Sequence, residues 1–360
     1  MSDKAYLILA DGTTFTGTAC GAKGTSVGEL IFDTGMSGYQ EVLSDASFYG
    51  QIVMFTYPLI GNCGVNDEDS ECENSYVRGL VVKELIDYPN NYRMTGKIGD
   101  YLKKQNIVAI EGVDTRAITR KLRDAGVMNA VITTEELTFA DVKEKIAEFK
   151  IENAVLETSC KEIYKVSGGK LSVGLIDYGQ KQSFIDALVE RGASVTVYPA
   201  STDSETILKA GHDGILLSNG AGDPAELGAQ IETVKKLAES KIPMFGICLG
   251  HQLLGLANGA KTYKLTYGHH GANHPVKELS SGKTYICAQN HGYAVDEASL
   301  AGTDLEVTHV NLNDGTVEGL RAKNAPLFSV QFHPNGCPGP KETAFLFDEF
   351  VKMMGGNKNA

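Results

Sequence analysis

The segment Gly246-Ile247-Cys248-Leu249-Gly250 constrains this chain more than any other, placed between the apolar run Pro243-Met244-Phe245 and the helix-like stretch His251 to Ala257. In a G-x-nucleophile-x-G turn the central residue sits where a strand bends sharply into a helix. The flanking glycines remove side chains that would crowd the bend. A cysteine in that position is expected to be presented, not packed. A helix N-terminus lowers a thiol pKa, and its first N–H groups can hold a developing oxyanion. Most isolated cysteines are small buried hydrophobes, and the glycine frame argues against that reading here.

A strand-to-helix elbow requires an alternating chain around it, and the second half of the sequence has one. Leu171–Ile176 reads as a strand, Ser183–Glu190 as a helix, Ser194–Tyr198 as a strand, Thr206–Ala210 as a short helix and Gly214–Leu217 as another strand. Such alternation implies right-handed crossovers and a mostly parallel sheet, with ligand chemistry at the C-terminal strand ends. The loop Ser218-Asn219-Gly220-Ala221-Gly222-Asp223-Pro224 and Cys248 therefore belong on one rim. From Ala5 to Ile132 the chain reads differently, as short strands such as Tyr6–Leu9 and Gln51–Thr56 among many glycines, a mixed α/β pattern. A helix is predicted after Thr138, an N-cap residue, because Phe139, Val142, Ile146 and Phe149 share one face. The expected organisation is α/β throughout: an N-terminal domain over 1–150, a linker over 151–170 ending in Ser167-Gly168-Gly169, and an elbow-bearing domain over 171–360.

Composition narrows the setting. A length of 360 residues suits two domains, and a formal charge of -12 repels nucleic acid and anionic membrane as a whole. Seven scattered cysteines without C-x-x-C spacing suggest neither a disulfide framework nor a zinc ribbon, so a cytoplasmic location is expected. The N-terminal residues do not read as a secretory signal, and no apolar run approaches a membrane span.

A thiol attacking an amide needs a base for its proton and an acid for the leaving nitrogen, and histidine serves as both near neutral pH. His333 is the candidate, delivered at the end of the core strand Leu327–Phe332 and followed by Pro334, although a structural His at a strand end would look similar. His251 and His291 compete. His269, His270 and His274 cluster, but without helical spacing or a nearby carboxylate before Glu278, so no metal is expected. The oxyanion donors would be the N–H of Leu249 and one from Gly220–Gly222. Gln289-Asn290-His291-Gly292-Tyr293 could supply backbone hydrogen bonds and an aromatic wall.

Gly246-Ile-Cys-Leu-Gly-His-Gln252, Ser218–Pro224, Ala288-Gln-Asn-His-Gly-Tyr293 and Gln331-Phe-His-Pro334 together resemble the class I, triad-type glutamine amidotransferases. Gly35-Met-Ser-Gly-Tyr-Gln-Glu41, Thr56-Tyr-Pro-Leu-Ile-Gly-Asn62 and Val113-Asp-Thr-Arg-Ala-Ile-Thr-Arg120 are similar to the small, glutamine-hydrolysing subunits of carbamoyl-phosphate synthetases. The resemblance covers nearly the whole chain. It implies an N-terminal domain that supports contact with a large synthetase subunit and a C-terminal glutaminase domain. It also implies that L-glutamine is held by Ser47, Gly220, Gly222, Leu249, Gln252, Asn290, Gly292 and Tyr293, with Ser47 reaching in from the first domain.

The same resemblance implies that ammonia passes to the large subunit, where bicarbonate and ATP with Mg yield carbamoyl phosphate for pyrimidine and arginine synthesis. This chain carries no cofactor on that reading, and it has no G-x-x-x-x-G-K-[ST] loop.

One position departs from the family. The pattern after the catalytic His is Pro-Glu, whereas here it is Pro334-Asn335. The triad would become Cys248, His333 and Asn335, whose amide oxygen could accept from the far ring nitrogen and fix the tautomer without stabilising imidazolium by charge. A weakened glutaminase is expected. The competing readings are a non-catalytic docking or regulatory subunit, a glutaminase for anthranilate or guanylate synthesis, and a cysteine peptidase.

Overall fold

Along the first strand Ala5, Leu7 and Leu9 face one core while Ile8 faces another, the period-two pattern of a strand covered on both sides. The computed structural model describes residues 4–356. Its first unit is the chain through Glu152 together with Thr266–Gly271. The strands are β1 (Lys4–Leu9), β2 (Thr14–Ala19), β3 (Thr25–Asp33), β4 (Gln51–Phe55), β5 (Leu59–Ile60), β6 (Gly79–Val81), β7 (Glu84–Leu85), β8 (Val108–Glu111) and β9 (Met128–Thr133). Seven of them close a barrel in the order β1-β2-β8-β6-β4-β3-β9, in which β3, β4, β6 and β8 run parallel. Closure leaves no open edge.

Among the described residues four α-helices accompany the barrel: α1 (Tyr39–Ser44), α2 (Ile98–Lys104), α3 (Thr115–Ala125) and α4 (Phe139–Glu148). The helix predicted after Thr138 is α4. Asp141 accepts from both the N–H and the hydroxyl of Thr138, and Val142 and Ile146 pack on Ile8 and Val131. Phe149 lies one residue past its end.

The second unit comprises Asn153–Leu265 and the chain from Ala272 onward. Its helices are α5 (Ala154–Thr158), α6 (Gln182–Glu190), α7 (Ser204–Lys209), α8 (Gly228–Glu239), α9 (Leu249–Ala257) and α10 (Phe345–Gly356). Its strands are β10 (Tyr164–Val166), β11 (Leu171–Asp177), β12 (Ala193–Pro199), β13 (Gly214–Leu217), β14 (Met244–Ile247), β15 (Thr262–Glu278), β16 (Thr284–Val295), β17 (Leu305–Asn311), β18 (Val317–Ala322) and β19 (Leu327–Val330). They form one sheet ordered β10-β12-β11-β13-β14-β19-β18-β17-β15-β16.

The stretch β12-β11-β13-β14-β19 is parallel, as the alternation predicts. Antiparallel strands flank it: β10 on one side and β18 and β17 on the other. Successive core residues face opposite layers. Ile215 and Leu217 pack with α7, α8 and α9, whereas Leu216, Phe245 and Phe328 pack with α6 and α10. Phe245 and Phe328 stack at 4.4 Å between centroids, with Phe347 of α10 edge-on to Phe245.

Two boundaries differ from those read in the sequence. The stretch 151–170 is not a bare linker, because it folds as α5 and as β10, which pairs with β12. Three residues at a sheet edge are too short for a period-two signal. In addition, Thr266–Gly271, from within 171–360, clusters with the first unit: Thr266 O accepts from Val127 N at 2.9 Å and His270 O from Thr34 N at 3.1 Å. Backbone bonds of this kind leave no trace in side-chain pattern.

Candidate active site

The end of β14 is positioned from both sides, since Leu217 of β13 opposes Gly246 and Val330 of β19 opposes Ile247. The backbone N–H of Cys248 continues this ladder to Val330 O at 2.9 Å, and α9 starts at the next residue. Cys248 itself has φ 55 and ψ -106, a left-handed conformation that costs a non-glycine residue on the order of 1–3 kcal/mol. The neighbouring glycines permit it. A Cβ on Gly250 would lie 2.3 Å from Leu217 O, and one on Gly246 would lie 2.7 Å from Gly250 O. We therefore expect Gly250→Ala to cost about 1–3 kcal/mol by overpacking and to lower any turnover at the thiol by about 10²-fold through displacement of the sulfur. Melting and rate measurements check this against Gly228→Ala, where the added methyl meets open space.

The thiol is less accessible than the glycine frame suggests: Cys248 is only 1% exposed. This corrects the expectation of a presented sulfur. The elbow fixes the direction of the side chain but not what covers it, and here β16 contributes to the cover. Sγ lies 3.5 Å from the carbonyl oxygen of Asn290. The surroundings are thus polar on that side, and exclusion of water strengthens every electrostatic interaction within.

His333 is brought to the same stretch of β16. Its N–H donates to Ala288 O at 2.9 Å, as an antiparallel bridge. Ala288 and Asn290 are two residues apart, roughly 7 Å along a strand. The imidazole is buried at 2% exposure, with the ring of Phe184 from α6 edge-on at 6.1 Å.

The competing histidines are accounted for. His251 bonds Ser329 Oγ through Nδ1 at 2.9 Å, and burial, with a smaller contribution from His309, pushes its pKa down to about 3. It stays neutral near pH 7. Both ring nitrogens of His291 are engaged, Nδ1 with Tyr293 O at 2.8 Å and Nε2 with Gln289 Oε1 at 2.6 Å. His270 packs against Phe48 in the first unit.

Of the predicted substrate contacts, most in the second unit surround the elbow. Leu249 is the first residue of α9, so its N–H has no partner within the helix. Gly220 packs directly on it: a Cβ there would lie 2.6 Å from Leu249 Cδ2 and 2.3 Å from Tyr178 O. Gly222 takes φ +97, and Gly250 N donates to Ser218 O at 3.0 Å, which ties this loop to the elbow. Gln252 donates to Tyr293 O at 2.8 Å and to Gln331 Oε1 at 3.0 Å, joining α9 to the segment that holds Asn290 and Gly292. Ser47 lies in the first unit, where its N–H and hydroxyl both bond Asp45 Oδ1.

Asn335 behaves differently from the expectation. Its amide nitrogen donates to Ser183 Oγ, and among the described residues its buried Oδ1 has no hydrogen-bond partner. The bond from the far ring nitrogen of His333 to this oxygen is not formed. The Ser183 hydroxyl, in the first turn of α6, captures the donor end of the amide and fixes its orientation. Lys181, fully buried just before α6, donates to the Cys337 carbonyl beyond Asn335.

Sequence reasoning also missed Glu318, fully buried on β18, with Oε1 accepting from Asn311 at 3.2 Å and 4.0 Å from His291 Nε2. A single acid between Val317 and Gly319 on β18 was its only signal. Among the described residues no helix is long and apolar enough to cross a membrane.

The class-I glutamine amidotransferase family matches residues 174–353, and the carbamoyl-phosphate synthase small chain domain family matches residues 7–132. The carbamoyl phosphate synthase small chain of Staphylococcus saprophyticus is 48% identical over 355 residues, covering 98% of this chain and 97% of that one. That of Clostridium perfringens is 48% identical over 349 residues, covering 97% and 99%. The Listeria monocytogenes protein of the same name is 46% identical over 356 residues, covering 99% and 98%.

Proposed function

Because the chain belongs to the carbamoyl-phosphate synthase small-chain family, we infer that it hydrolyses L-glutamine to glutamate and ammonia and passes the ammonia to a large synthetase subunit. The observation that carries this is the strained elbow, with Cys248 at φ 55 and its sulfur beside the Asn290 carbonyl. A left-handed cysteine at a strand-to-helix turn is held at a cost in conformational energy, and such cost concentrates where chemistry is done.

In the proposed reaction the Cys248 thiolate attacks the side-chain carbon of glutamine. The oxygen then takes up negative charge facing the N–H of Leu249 and the Gly220–Gly222 loop. His333 protonates the nitrogen, the C–N bond breaks, ammonia leaves and a thioester remains. His333 then takes a proton from water, whose oxygen displaces the sulfur, and glutamate departs with the thiol restored. Gln252, Asn290, Gly292 and Tyr293 hold the substrate. Ammonia released in a buried site reaches the large subunit unprotonated, where bicarbonate is activated by ATP with Mg. The chain works in the cytoplasm, with neither nucleic acid nor membrane as partner and no cofactor of its own.

Asn335 stands where the family has a carboxylate. We expect Asn335→Glu to raise kcat for glutamine hydrolysis by about tenfold or more, since one oxygen can keep Ser183 while the other orients and charge-stabilises the ring. Glutamate release by the two proteins, with and without the large subunit, measures it. An unchanged rate would mean that His333 needs no third group. If neither protein exceeds a Cys248→Ser control, the chain is a docking subunit and not a glutaminase.

A further inference from the structure

The chain holds three asparagines followed by glycine, Asn219-Gly220, Asn258-Gly259 and Asn335-Gly336. Such pairs are the most open to spontaneous deamidation, because a following residue without a Cβ lets its backbone nitrogen swing onto the asparagine side-chain carbon. The three sit in different frames. Asn219 is wholly buried just beyond β13. Asn258 closes α9, its Nδ2 donating to Leu254 O at 2.8 Å while Gly259 N donates to Leu256 O at 3.0 Å.

At the third pair both reacting groups are held loosely. Gly336 N reaches His333 O only at 3.5 Å, and among the described residues the buried Oδ1 of Asn335 has no hydrogen-bond partner. The amide is tied through Nδ2, to Ser183 Oγ. Gly336 itself is imposed by shape: it takes φ +65, and a Cβ there would lie 2.4 Å from Pro340 O. The turn after His333 thus demands glycine, and an amide in front of that glycine makes a reactive pair where a carboxylate would not.

We propose that Asn335 is a self-modifying site, converted to aspartate by the peptide nitrogen that follows it, and that the carboxylate so formed completes the triad with Cys248 and His333. The proposal rests on the glutaminase reading above. Gly336 N loses its proton to solvent and attacks Cγ of Asn335. The Cγ–Nδ2 bond breaks, the departing nitrogen takes up a proton and leaves as ammonia, and a five-membered imide remains. Water then adds at Cγ, the bond from Cγ to Gly336 N breaks, and that nitrogen recovers a proton. One water is consumed, one ammonia is released and nothing is oxidised or reduced. The main chain keeps its length. Orientation ceases to matter, because a carboxylate has two equivalent oxygens: Ser183 can donate to one while the other accepts from the ring of His333 and stabilises its charge.

The test follows the full chain through ageing at mildly alkaline pH, where loss of the attacking nitrogen's proton speeds imide formation. Peptide mass spectrometry reads residue 335 apart from 219 and 258, and glutamate release is measured on the same samples with Cys248→Ser as the blank. Residue 335 is expected to convert to aspartate, with the hydrolysis rate rising in step by about tenfold, to the level of freshly made Asn335→Asp. Asn335→Gln is expected neither to convert nor to gain, since its attack would have to close a six-membered ring. An amide that persists at 335 through ageing overturns the proposal, as does conversion to the isoaspartyl form or conversion that leaves the rate unchanged. Failure of the glutaminase reading looks different: residue 335 converts, yet aged wild type and fresh Asn335→Asp both stay at the Cys248→Ser blank, which overturns the triad role with it.

Discussion

Replacing Cys248 with serine is expected to lower glutamine hydrolysis by at least about 10³-fold, while ammonia-dependent carbamoyl phosphate synthesis by the complex continues. The substitution exchanges only sulfur for oxygen, so the glycine frame and the bond from residue 248 N to Val330 O remain. What disappears is the thiolate. A thiol is partly ionised near neutral pH and is intrinsically nucleophilic, whereas a hydroxyl needs a strong base at the moment of attack. Removing a nucleophile from a group that acts as a unit has cost up to about 10⁶-fold in a serine protease, most of the rate depending on that one atom. Glutamate release and ammonia-supported synthesis, measured on one preparation, separate loss of chemistry from loss of assembly. Hydrolysis retained within about tenfold of the wild type would remove Cys248 from the mechanism.

How far such chemistry could be read in the sequence followed the range of the interactions involved. The elbow was legible because its signal is local: two glycines at fixed offsets, each excluded from carrying a Cβ by an atom of the same motif or the adjoining strand. The helix after Thr138 was legible for the same reason, its cap and apolar face lying within eleven residues. The parallel strands β11, β13 and β14 declared themselves as continuous apolar runs, as strands buried on both faces do. Barrel closure was not legible, because β1 pairs with β9 across more than a hundred residues. Nor was the cover over Cys248, since Asn290 reaches it from a strand forty-two residues away.

Residue 335 shows the limit most clearly. Sequence identified the amide at 335 but not its direction, which is set by Ser183 on a distant helix. Glu318 and Lys181 have ionisable side chains in wholly buried positions, and no local rule separates them from their counterparts at the surface.

His333 carries the other large effect. Its replacement by alanine is expected to reduce hydrolysis of glutamine by about 10²–10⁴-fold, the usual contribution of a positioned acid and base. The two competing histidines have other partners, His251 in Ser329 and His291 at both ring nitrogens in Tyr293 and Gln289. The size of the loss depends on the leaving group. The amide nitrogen must gain a proton to depart as neutral ammonia, whereas an activated γ-glutamyl ester releases an anion that needs no proton, so the ester should lose much less. Equal losses on both substrates would place the role of His333 at the thiol and not at the departing nitrogen. Combining His333→Ala with Asn335→Glu closes a double-mutant cycle. If the carboxylate acts by orienting and charging the ring, its gain vanishes when the ring is absent. A gain that survives would show the carboxylate acting directly, through Ser183 or the buried Lys181.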